Sequence, residues 1–334
     1  MKKNRIQVIH FGRKRKIGSI EGLFNVIRKY FSENIYLKIC EYESKGILKR
    51  IKNMLDAREK QGDVNHIIGD SNYLALFLEK NKTILTVHDC GSVVNSKGVR
   101  KIIIFLFWFY FPLKKVKYIT VISEKTKKEL LKLVNFPKKN IFVIPNCVNK
   151  NFKFSKKKFN KVKPTILHVG TKTNKNLIRV AKALRGINCE LKIIGRLNKS
   201  QIKALKENQI HYENFIDLSE QEIIEQYNKA DIVIFASLYE GFGLPILEAQ
   251  ATGRALITSN ISPMKEIAGK GACLVNPFDM FSIRNGFLKV INDDLFRENI
   301  IAKGLENVKK YFPEMISKEY EKLYFKIFDE YKRG

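Results

Sequence analysis

The sequence predicts an α/β protein built from two doubly wound domains, and three observations support this. Its 334 residues are enough for two domains with their own cores, at roughly 150 residues per domain. Short apolar segments typical of buried parallel strands alternate with helix-like segments in both halves. A polar, Lys-rich stretch over 150–163 interrupts this alternation, as a linker between domains does. We therefore expect one domain over residues 1–150 and a second over 151–312.

The elements follow in order along the chain. In the first half, short apolar segments predict strands over 6–11, 65–69, 83–88, 118–122 and 141–144. Helices are predicted between them, for example over 23–31 and 125–134. In the second half, strand-like and helix-like segments alternate over 165–169, 177–184, 190–194, 202–208, 210–215, 220–228, 231–236 and 255–259. An amphipathic helix over about 314–331 closes the chain, and we expect 313–334 to pack back toward the first domain.

The composition narrows the classes of function. The net charge is +29, from 62 Lys and Arg against 33 Asp and Glu, so the chain attracts polyanions. The excess is spread along the whole chain and is mostly Lys, a pattern that AT-rich coding sequence also produces without any partner. Nucleic-acid readers usually carry a recognisable module or an aromatic platform; because none is visible, we expect no specific nucleic-acid partner. An anionic membrane surface remains a possible partner.

The cysteines and the N-terminus indicate a cytoplasmic protein. The five cysteines, at positions 40, 90, 147, 189 and 273, are odd in number and lack paired spacing. This argues against a disulfide framework and a zinc site, and predicts reduced, packed thiols. The N-terminal residues do not form a signal-peptide pattern. We expect a cytoplasmic location, with peripheral attachment to the inner face of the membrane as an open alternative.

One segment bears on that alternative. Residues 102–113, with the sequence IIIFLFWFYFPL, are entirely apolar or aromatic and have Lys and Arg on both sides, at positions 100, 101, 114, 115 and 117. The segment is too short to span a bilayer, which takes ~20 apolar residues. An apolar helix of this length forms either a core element or an interfacial insertion. The sequence leaves both alternatives open.

The most informative stretch runs from Glu240 to Glu248, with the sequence EGFGLPILE. A helix that begins at Pro245 exposes unpaired amides and the positive end of its dipole, while Gly241 and Gly243 let the backbone approach an anion closely. This arrangement suits a diphosphate, and the two Glu can accept hydrogen bonds from sugar or ribose hydroxyls. The stretch follows the strand at 231–236, so it lies at a strand's carboxyl end, where open α/β sheets bind ligands. The same residues also describe an ordinary capped helix.

Together with neighbouring motifs, this stretch resembles the retaining glycosyltransferases of family four, which have the GT-B fold of two Rossmann-like domains facing a central cleft. The resemblance covers nearly the whole chain, but only the motif at 237–249 is highly specific. Further matching motifs lie in the second half at 166–170, 174–177, 227–231, 258–261, 266–269 and 276–279. Looser matches lie in the first half at 66–70, 86–89, 121–124 and 143–146.

The resemblance implies roles for individual residues. Glu240 contacts the transferred sugar, Glu248 contacts the ribose diol, and Lys175 offsets the diphosphate charge as the leaving group departs. A fixed cation and helix amides stabilise that charge, so no metal and no other cofactor is expected. His88 faces the donor sugar, although a structural role is the alternative for this residue. The backbone is expected to contact the sugar and diphosphate at Gly241, Phe242, Gly243 and Leu244. Lys172 or Arg196 is expected to replace the Arg that many family members carry. The acceptor loop is reduced to Gly18 and Ser19.

The predicted function follows from the resemblance. We expect a retaining, metal-independent glycosyltransferase of hexosyltransferase type that takes a sugar from a UDP- or GDP-sugar. The expected acceptor is a glycan or a lipid-linked molecule, in the synthesis of a cell-surface polysaccharide or glycoconjugate. Two other hypotheses remain: a nucleotide-sugar epimerase or hydrolase of the same fold, and a basic protein that binds nucleic acid or a membrane surface.

Overall fold

The computed structural model describes residues 5–14, 20–43, 46–94 and 96–333. The chain divides into two compact units. The first unit combines Met1–Cys147 with Pro313–Gly334, and the second unit is Val148–Phe312. Each unit contains a six-stranded sheet in which all neighbouring strands are parallel.

The sheet of the first unit has the strand order β2-β1-β3-β4-β5-β6. Its strands are β1 (Ile6–Arg13), β2 (Ile35–Tyr42), β3 (Val64–Ile67), β4 (Thr83–Val87), β5 (Tyr118–Val121) and β6 (Ile141–Val143). Its helices before the linker are α1 (Ile20–Arg28), α2 (Ile47–Glu59), α3 (Gly91–Val94), α4 (Gly98–Ile104), α5 (Phe111–Lys114) and α6 (Glu124–Leu133). A π-helical turn, Phe105–Tyr110, joins α4 to α5. The five predicted strands are present, whereas β2 at the edge of the sheet was not predicted.

The sheet of the second unit has the strand order β12-β11-β10-β7-β8-β9. Its strands are β7 (Thr165–Val169), β8 (Glu190–Ile194), β9 (Tyr212–Phe215), β10 (Ile232–Phe235), β11 (Ala255–Ser259) and β12 (Cys273–Val275). Its helices are α7 (Leu177–Leu184), α8 (Lys199–Glu207), α9 (Glu220–Lys229), α10 (Leu244–Thr252), α11 (Met264–Ala268), α12 (Met280–Asn292) and α13 (Asp294–Val308). The last helix, α14 (Pro313–Arg333), belongs to the first unit.

A buried polar chain fixes α14 to the first sheet. His10 Nδ1 accepts a hydrogen bond from Arg28 (3.3 Å), so the other ring nitrogen of His10 donates to the Tyr324 hydroxyl at 2.9 Å. Tyr324 in turn donates to His66 Nδ1 at 2.8 Å, and His66 Nε2 donates to the Thr86 hydroxyl at 2.6 Å. Burial lowers the pKa of His66 to about 3 and that of His10 well below its ordinary value. Both rings are therefore neutral, and α14 depends on that neutral state.

The apolar segment at 102–113 is amphipathic in a way that the sequence did not reveal. Phe109 and Leu113 are 2% and 3% exposed and pack into the core of the first unit. Ile102, Ile103 and Phe107, in contrast, are 53–58% exposed. The segment is thus a core element on one face only. Among the described residues, no helix is long and apolar enough to cross a bilayer.

The five cysteines are free and buried, as the dispersed spacing predicted. Burial raises the pKa of Cys90 and Cys147 to about 12 and that of Cys189 to about 11. A thiol with a raised pKa is a poor nucleophile and a poor metal ligand, because both roles need the thiolate. These cysteines therefore serve as packing residues.

Candidate active site

The strand order of the second unit creates a switch point between β7 and β10, which are neighbours in the middle of the sheet. From β7 the chain continues to β8 and β9 on one side, and from β10 it continues to β11 and β12 on the other. The loops that leave the carboxyl ends of these two strands therefore diverge and leave a crevice between them. Open parallel sheets bind ligands at such a point. The EGFGLPILE stretch follows β10 and lies here, as predicted.

Two charged side chains meet across this switch point. Lys175, from the loop after β7, places its Nζ 2.7 Å from Glu240 Oε1, from the loop after β10. The two side chains are only 18% and 15% exposed. Lys175 Nζ also lies 4.5 Å from the centre of the Phe235 ring. The family resemblance implies that Lys175 contacts the diphosphate and that Glu240 contacts the sugar. In the structure these two side chains form an ion pair with each other.

Two glycines with positive φ lie in the loops that carry this pair. Gly170 has φ of +88°, and a Cβ there would lie 3.1–3.4 Å from carbons of the Lys175 side chain. Gly243 has φ of +125°, and a Cβ there would lie 3.1 Å from Ile246 Cδ1 and 3.3 Å from Phe235 Cε1. Both conformations favour glycine, because other residues rarely adopt positive φ. A side chain at Gly170 would crowd Lys175, and one at Gly243 would crowd Ile246 and Phe235.

Hydrogen bonds from Asn174 and Asn176 join the loop after β7 to the end of β10 and its loop, and a third, from His168, fixes the Lys175 backbone. Asn174 donates to Glu240 Oε1 at 3.1 Å and to the Tyr239 carbonyl at 2.8 Å. Asn176 donates to the Ala236 carbonyl at 3.0 Å. The buried His168 on β7 donates from Nε2 to the Lys175 carbonyl at 3.1 Å, and burial lowers its pKa to about 4. The neutral ring thus fixes the Lys175 backbone without adding a charge.

Helix α10 begins at Leu244, one residue before the predicted start, and Pro245 is in its first turn. Its N-cap is Gly243, which has no side chain to cover the first amides of the helix. Gly241 and Leu244 are half-buried, whereas Phe242 is buried and its ring lies edge-on to Tyr311 at a centroid distance of 6.1 Å. An uncapped helix start beside a positive side chain is suited to an anion.

Glu248, in the second turn of α10, receives a hydrogen bond from a residue that the sequence did not single out. The Tyr227 hydroxyl on α9 lies 2.5 Å from Glu248 Oε2, and Tyr227 is fully buried. Burial raises the pKa of Glu248 to about 7, although the Tyr227 hydrogen bond and the charge of Lys175 both act to lower it. Glu248 therefore titrates near neutral pH. A residue with such a pKa at a ligand-binding crevice is a candidate functional group.

Lys172 and Arg196 lie at the margin of the crevice. Lys172 is exposed, and its carbonyl accepts a hydrogen bond from the Lys175 amide at 2.8 Å. Arg196 follows β8; its side chain is 80% exposed and lies 3.8 Å from Asp217. Their assignment to the donor remains a prediction.

The first unit has a cavity of about 430 Å³ at the carboxyl ends of its strands. His88, at the end of β4, lines it together with Asp70, Asp89 and Trp108. His88 Nε2 donates to the Ile68 carbonyl at 2.8 Å, which fixes the ring at the cavity wall. Gly18 and Ser19, predicted as the acceptor loop, lie outside the described residues. Within the described part of the chain, no cluster of three or more His, Cys, Asp or Glu could hold a metal ion.

Asn174, Asn176, His168 and Tyr227 are the site residues to which sequence reasoning gave no role. His168 and Tyr227 lie on separate elements from the groups they contact, so spacing along the chain does not indicate these contacts. Asn174 adjoins Lys175, but its bond to Glu240 depends on the pairing of β7 with β10.

Comparison with known proteins decides the family. Residues 149–307 match the profile of the family described as "Glycosyl transferases group 1", and residues 46–152 match that of "Glycosyltransferase Family 4". The chain belongs to the group 1 glycosyltransferases. Both the crevice at the switch point and the helix α10 lie within the first of these matches.

Three similar proteins illustrate the relationship of this group 1 glycosyltransferase to known proteins. The serotype-specific mannosyltransferase WbdA of Escherichia coli is 34% identical over 36% of this chain, but that match spans only 14% of WbdA. The O-antigen chain mannosyltransferase RfbU of Salmonella typhimurium is 28% identical over 70% of this chain and 68% of its own length. Anabaena HepE, solved in complex with UDP-glucose, matches with a TM-score of 0.77 at 12% identity, over 95% of this chain and 99% of the HepE chain. The predicted two-domain α/β architecture of GT-B type is confirmed.

Proposed function

We propose that the chain is a retaining, metal-independent hexosyltransferase that transfers a sugar from a UDP- or GDP-sugar to a glycan or lipid-linked acceptor. The product belongs to a cell-surface polysaccharide or glycoconjugate, and the reaction takes place on the cytoplasmic side. One observation carries the proposal: the Lys175–Glu240 pair at the switch point, next to the uncapped start of α10. It combines a cation for a leaving diphosphate with a carboxylate for a sugar hydroxyl.

In this proposal the donor's diphosphate binds at the start of α10. The amides of Phe242, Gly243 and Leu244 donate to its oxygens, and the helix dipole favours its negative charge. Lys175 Nζ exchanges Glu240 for a phosphate oxygen. Glu240, released from the lysine, accepts a hydrogen bond from a hydroxyl of the transferred sugar.

The chemical step breaks the bond between the anomeric carbon and the phosphate oxygen and forms a bond from the same carbon to the acceptor oxygen. In a retaining reaction on one face, the acceptor proton passes to the departing phosphate. Negative charge builds up on the diphosphate as the bond breaks. Lys175 and the helix amides stabilise this charge, and such preorganised stabilisation is usually the largest single contribution to catalysis.

Glu248 binds the ribose in this proposal. Its ionised form accepts hydrogen bonds from both ribose hydroxyls, and Tyr227 holds one of its oxygens in place. The acceptor binds in the first unit, in the cavity beside His88. Asp70 and Asp89 line that cavity and provide acceptors for hydroxyl groups.

Two comparisons support the substrate classes. RfbU is named as an O-antigen chain mannosyltransferase, which favours a polysaccharide product. HepE was solved with UDP-glucose, which favours a nucleoside-diphosphate sugar as donor. UDP and GDP both remain candidates, and no cofactor beyond the donor is part of the proposal.

The proposal is tested first by donor binding and then by turnover. A thermal-shift screen against UDP- and GDP-sugars is expected to give one donor that raises the melting temperature, because a ligand of the native state stabilises it. With that donor, Glu248→Ala should weaken binding, and Glu240→Ala should mainly lower turnover. Glu298→Ala, at an exposed position on α13, is the control and should change neither.

Three outcomes would count against the proposal or a part of it. Unchanged kinetics in both Glu240→Ala and Glu248→Ala would remove the site assignment. Rapid consumption of donor by the wild type without any acceptor would favour the epimerase or hydrolase hypothesis instead. Activity that survives a chelator is expected, and its loss with recovery on adding a divalent cation would contradict the metal-independent mechanism.

A further inference from the structure

We propose that the first unit docks on an anionic lipid bilayer through two neighbouring helical segments, each of which exposes a row of apolar side chains beside Lys and Arg. We call these rows the outer rows of α2 and of α4–α5. This inference goes beyond the proposed function, because docking requires neither donor nor acceptor.

The outer row of α4–α5 lies opposite the face that packs in the core. It consists of Val99, Ile102, Ile103, Phe107 and Phe111, which are 41–71% exposed. Val99, Ile103, Phe107 and Phe111 are four positions apart and Ile102 adjoins Ile103, so the five share one side of the helical segment. A run of aliphatic and aromatic side chains at this exposure is costly in water, and larger apolar patches of this kind mark interaction sites.

The outer row of α2 has the same character. Ile47, Leu48, Ile51 and Leu55 are exposed by 76%, 84%, 41% and 48%. Helix α2 nevertheless packs on the first unit through its other face, where Met54 and Ala57 are buried. The exposed row is thus a feature of a folded, anchored helix and does not reflect a helix end that lacks contacts.

The two segments are in contact with each other and with the same short stretch of chain. The Arg50 guanidinium on α2 lies 5.0 Å from the Trp108 ring in the π-helical turn and 5.6 Å from the Tyr73 ring. Asn53 on α2 donates to the Tyr73 hydroxyl at 3.1 Å, and Asn72 donates to the Trp108 carbonyl at 2.6 Å. The two outer rows therefore belong to one connected part of the first unit.

Charge identifies the occupant as an anionic bilayer. Between Asp89 and Glu124 the sequence contains no acidic residue, whereas Lys and Arg are present at 97, 100, 101, 114, 115 and 117. Cations that flank an apolar face are typical of segments that lie in the membrane interface. Each Lys or Arg near an anionic membrane strengthens binding about fivefold. Since no described helix can span a bilayer, we infer docking at the surface with shallow insertion of the rows.

The inner face of the same segment lines the cavity beside His88. Ile104, Trp108 and Phe109 form part of the cavity wall. The cavity therefore lies behind the proposed bilayer face. This favours a lipid-linked acceptor over a soluble glycan, and that part of the inference rests on the proposed function.

Vesicle binding of the full chain tests the docking surface independently of activity. Flotation with phosphatidylcholine vesicles, with and without phosphatidylglycerol, is expected to show binding only to the anionic vesicles. The chain has a single tryptophan, Trp108, which lies on the docking segment. Brominated lipids in the anionic vesicles should quench its fluorescence in part, because the ring lies on the inner face of the segment whose outer row contacts the bilayer.

Matched variants separate the apolar and the charged contributions. Ile103→Gln with Phe107→Gln should reduce vesicle binding at least tenfold and abolish the quenching. The control pair, Val162→Gln with Leu295→Gln, changes residues of the second unit that are 79% and 82% exposed and should have no effect. Unchanged melting temperatures confirm that the variants are folded.

For the charges, Arg100→Gln with Lys101→Gln should weaken binding about thirtyfold at low salt, from about fivefold for each cation. The control is the same change at Lys199 and Lys203 on α8. Equal binding to neutral vesicles, or full binding by the Ile103 and Phe107 variant, would overturn the proposal. A third result would also overturn it: the wild type does not bind vesicles but self-associates, and the Ile103 and Phe107 variant abolishes the self-association. The rows would then pack against a second copy of the chain.

Discussion

Replacing Tyr227 by phenylalanine removes one hydroxyl and keeps the ring, which packs edge-on against Phe152 at a centroid distance of 5.3 Å. That hydroxyl lies 2.5 Å from Glu248 Oε2. A hydrogen bond to a charged group contributes about 1.5–3 kcal/mol, and about 1.36 kcal/mol corresponds to one pKa unit. The pKa of Glu248 is raised to about 7 in the wild type. Tyr227→Phe should therefore raise it further, to about 8.5.

The consequence is a change in the pH dependence of nucleotide binding. At about pH 7.5, the ionised fraction of Glu248 should fall from about three quarters to about one tenth. In the proposed donor complex, the ionised carboxylate accepts hydrogen bonds from both ribose hydroxyls, and such charge-assisted bonds are the stronger ones. Nucleotide affinity at this pH should therefore fall about eightfold, in proportion to the ionised fraction. The two proteins should converge at high pH, where Glu248 is ionised in both.

Titration calorimetry with UDP or GDP, whichever stabilises the protein, measures this directly across a range of pH. The affinity of the wild type should rise with pH through a midpoint near 7, because deprotonation creates the form that binds. Glu248→Gln lacks the carboxylate, so the pH dependence of its nucleotide affinity reports only the titration of the nucleotide's own phosphates. The ratio of the wild-type affinity to the affinity of this variant at each pH therefore isolates the contribution of Glu248. The reasoning is refuted if the midpoint is the same in Tyr227→Phe and the wild type, or if Glu248→Gln retains the full pH dependence.

Three further predictions concern charge, backbone and stability. Lys175→Ala should lower kcat by about 10²–10³, as the loss of a fixed charge-stabilising group does; a smaller effect on kcat than on KM would contradict its role. Gly243→Ala should weaken nucleotide binding, measured by calorimetry, whereas Gly186→Ala, also at positive φ but with open space around it, should not. Between about pH 6.5 and 3, His66 takes up a proton in the unfolded state but not in the folded state, which should lower the free energy of unfolding of the first unit. About 2 kcal/mol of this loss falls between about pH 7.5 and 5, and His66→Gln should remove it. Urea unfolding followed by Trp108 fluorescence measures this, and an equal loss in the variant and the wild type would refute it.

The strands that have a neighbouring strand on both sides were all predicted. The apolar segments at 165–169, 190–194 and 255–259 coincide with β7, β8 and β11 to the residue. Strands β2 and β12 escaped prediction, and both lie at the edges of their sheets. In β2, Tyr36 and Ile39 are exposed and Lys38 and Glu41 interrupt the apolar run. An edge strand is only partly buried, so it does not give the continuous hydrophobic signal of a central strand.

The site was predictable where its residues are adjacent in sequence. The Gly-Phe-Gly-Leu-Pro stretch specified a strand end, a loop and a helix start within a few residues, and the structure has all three. The ion pair of Lys175 with Glu240 and the hydrogen bond of Tyr227 to Glu248 join residues 65 and 21 positions apart. Neither contact can be predicted from the helical or strand periodicity of the sequence, because each depends on which elements become neighbours in the fold. Likewise, the composition of 102–113 indicated an apolar helix but not which face would remain exposed.

The ion pair at the switch point gives the resting site a property that the isolated motifs did not suggest. With Glu240 at 2.7 Å, the charge of Lys175 is already balanced, so a simple anion gains little by displacing the carboxylate. In the proposed complex a sugar diphosphate offers more: its phosphates contact the lysine and the helix amides, while its sugar hydroxyls contact Glu240. Both partners of the broken pair then regain a hydrogen bond, which matters because a half-buried charge left unpaired is costly. We infer that the pair favours a complete donor over free phosphate, since only a ligand with both parts satisfies both charges at once.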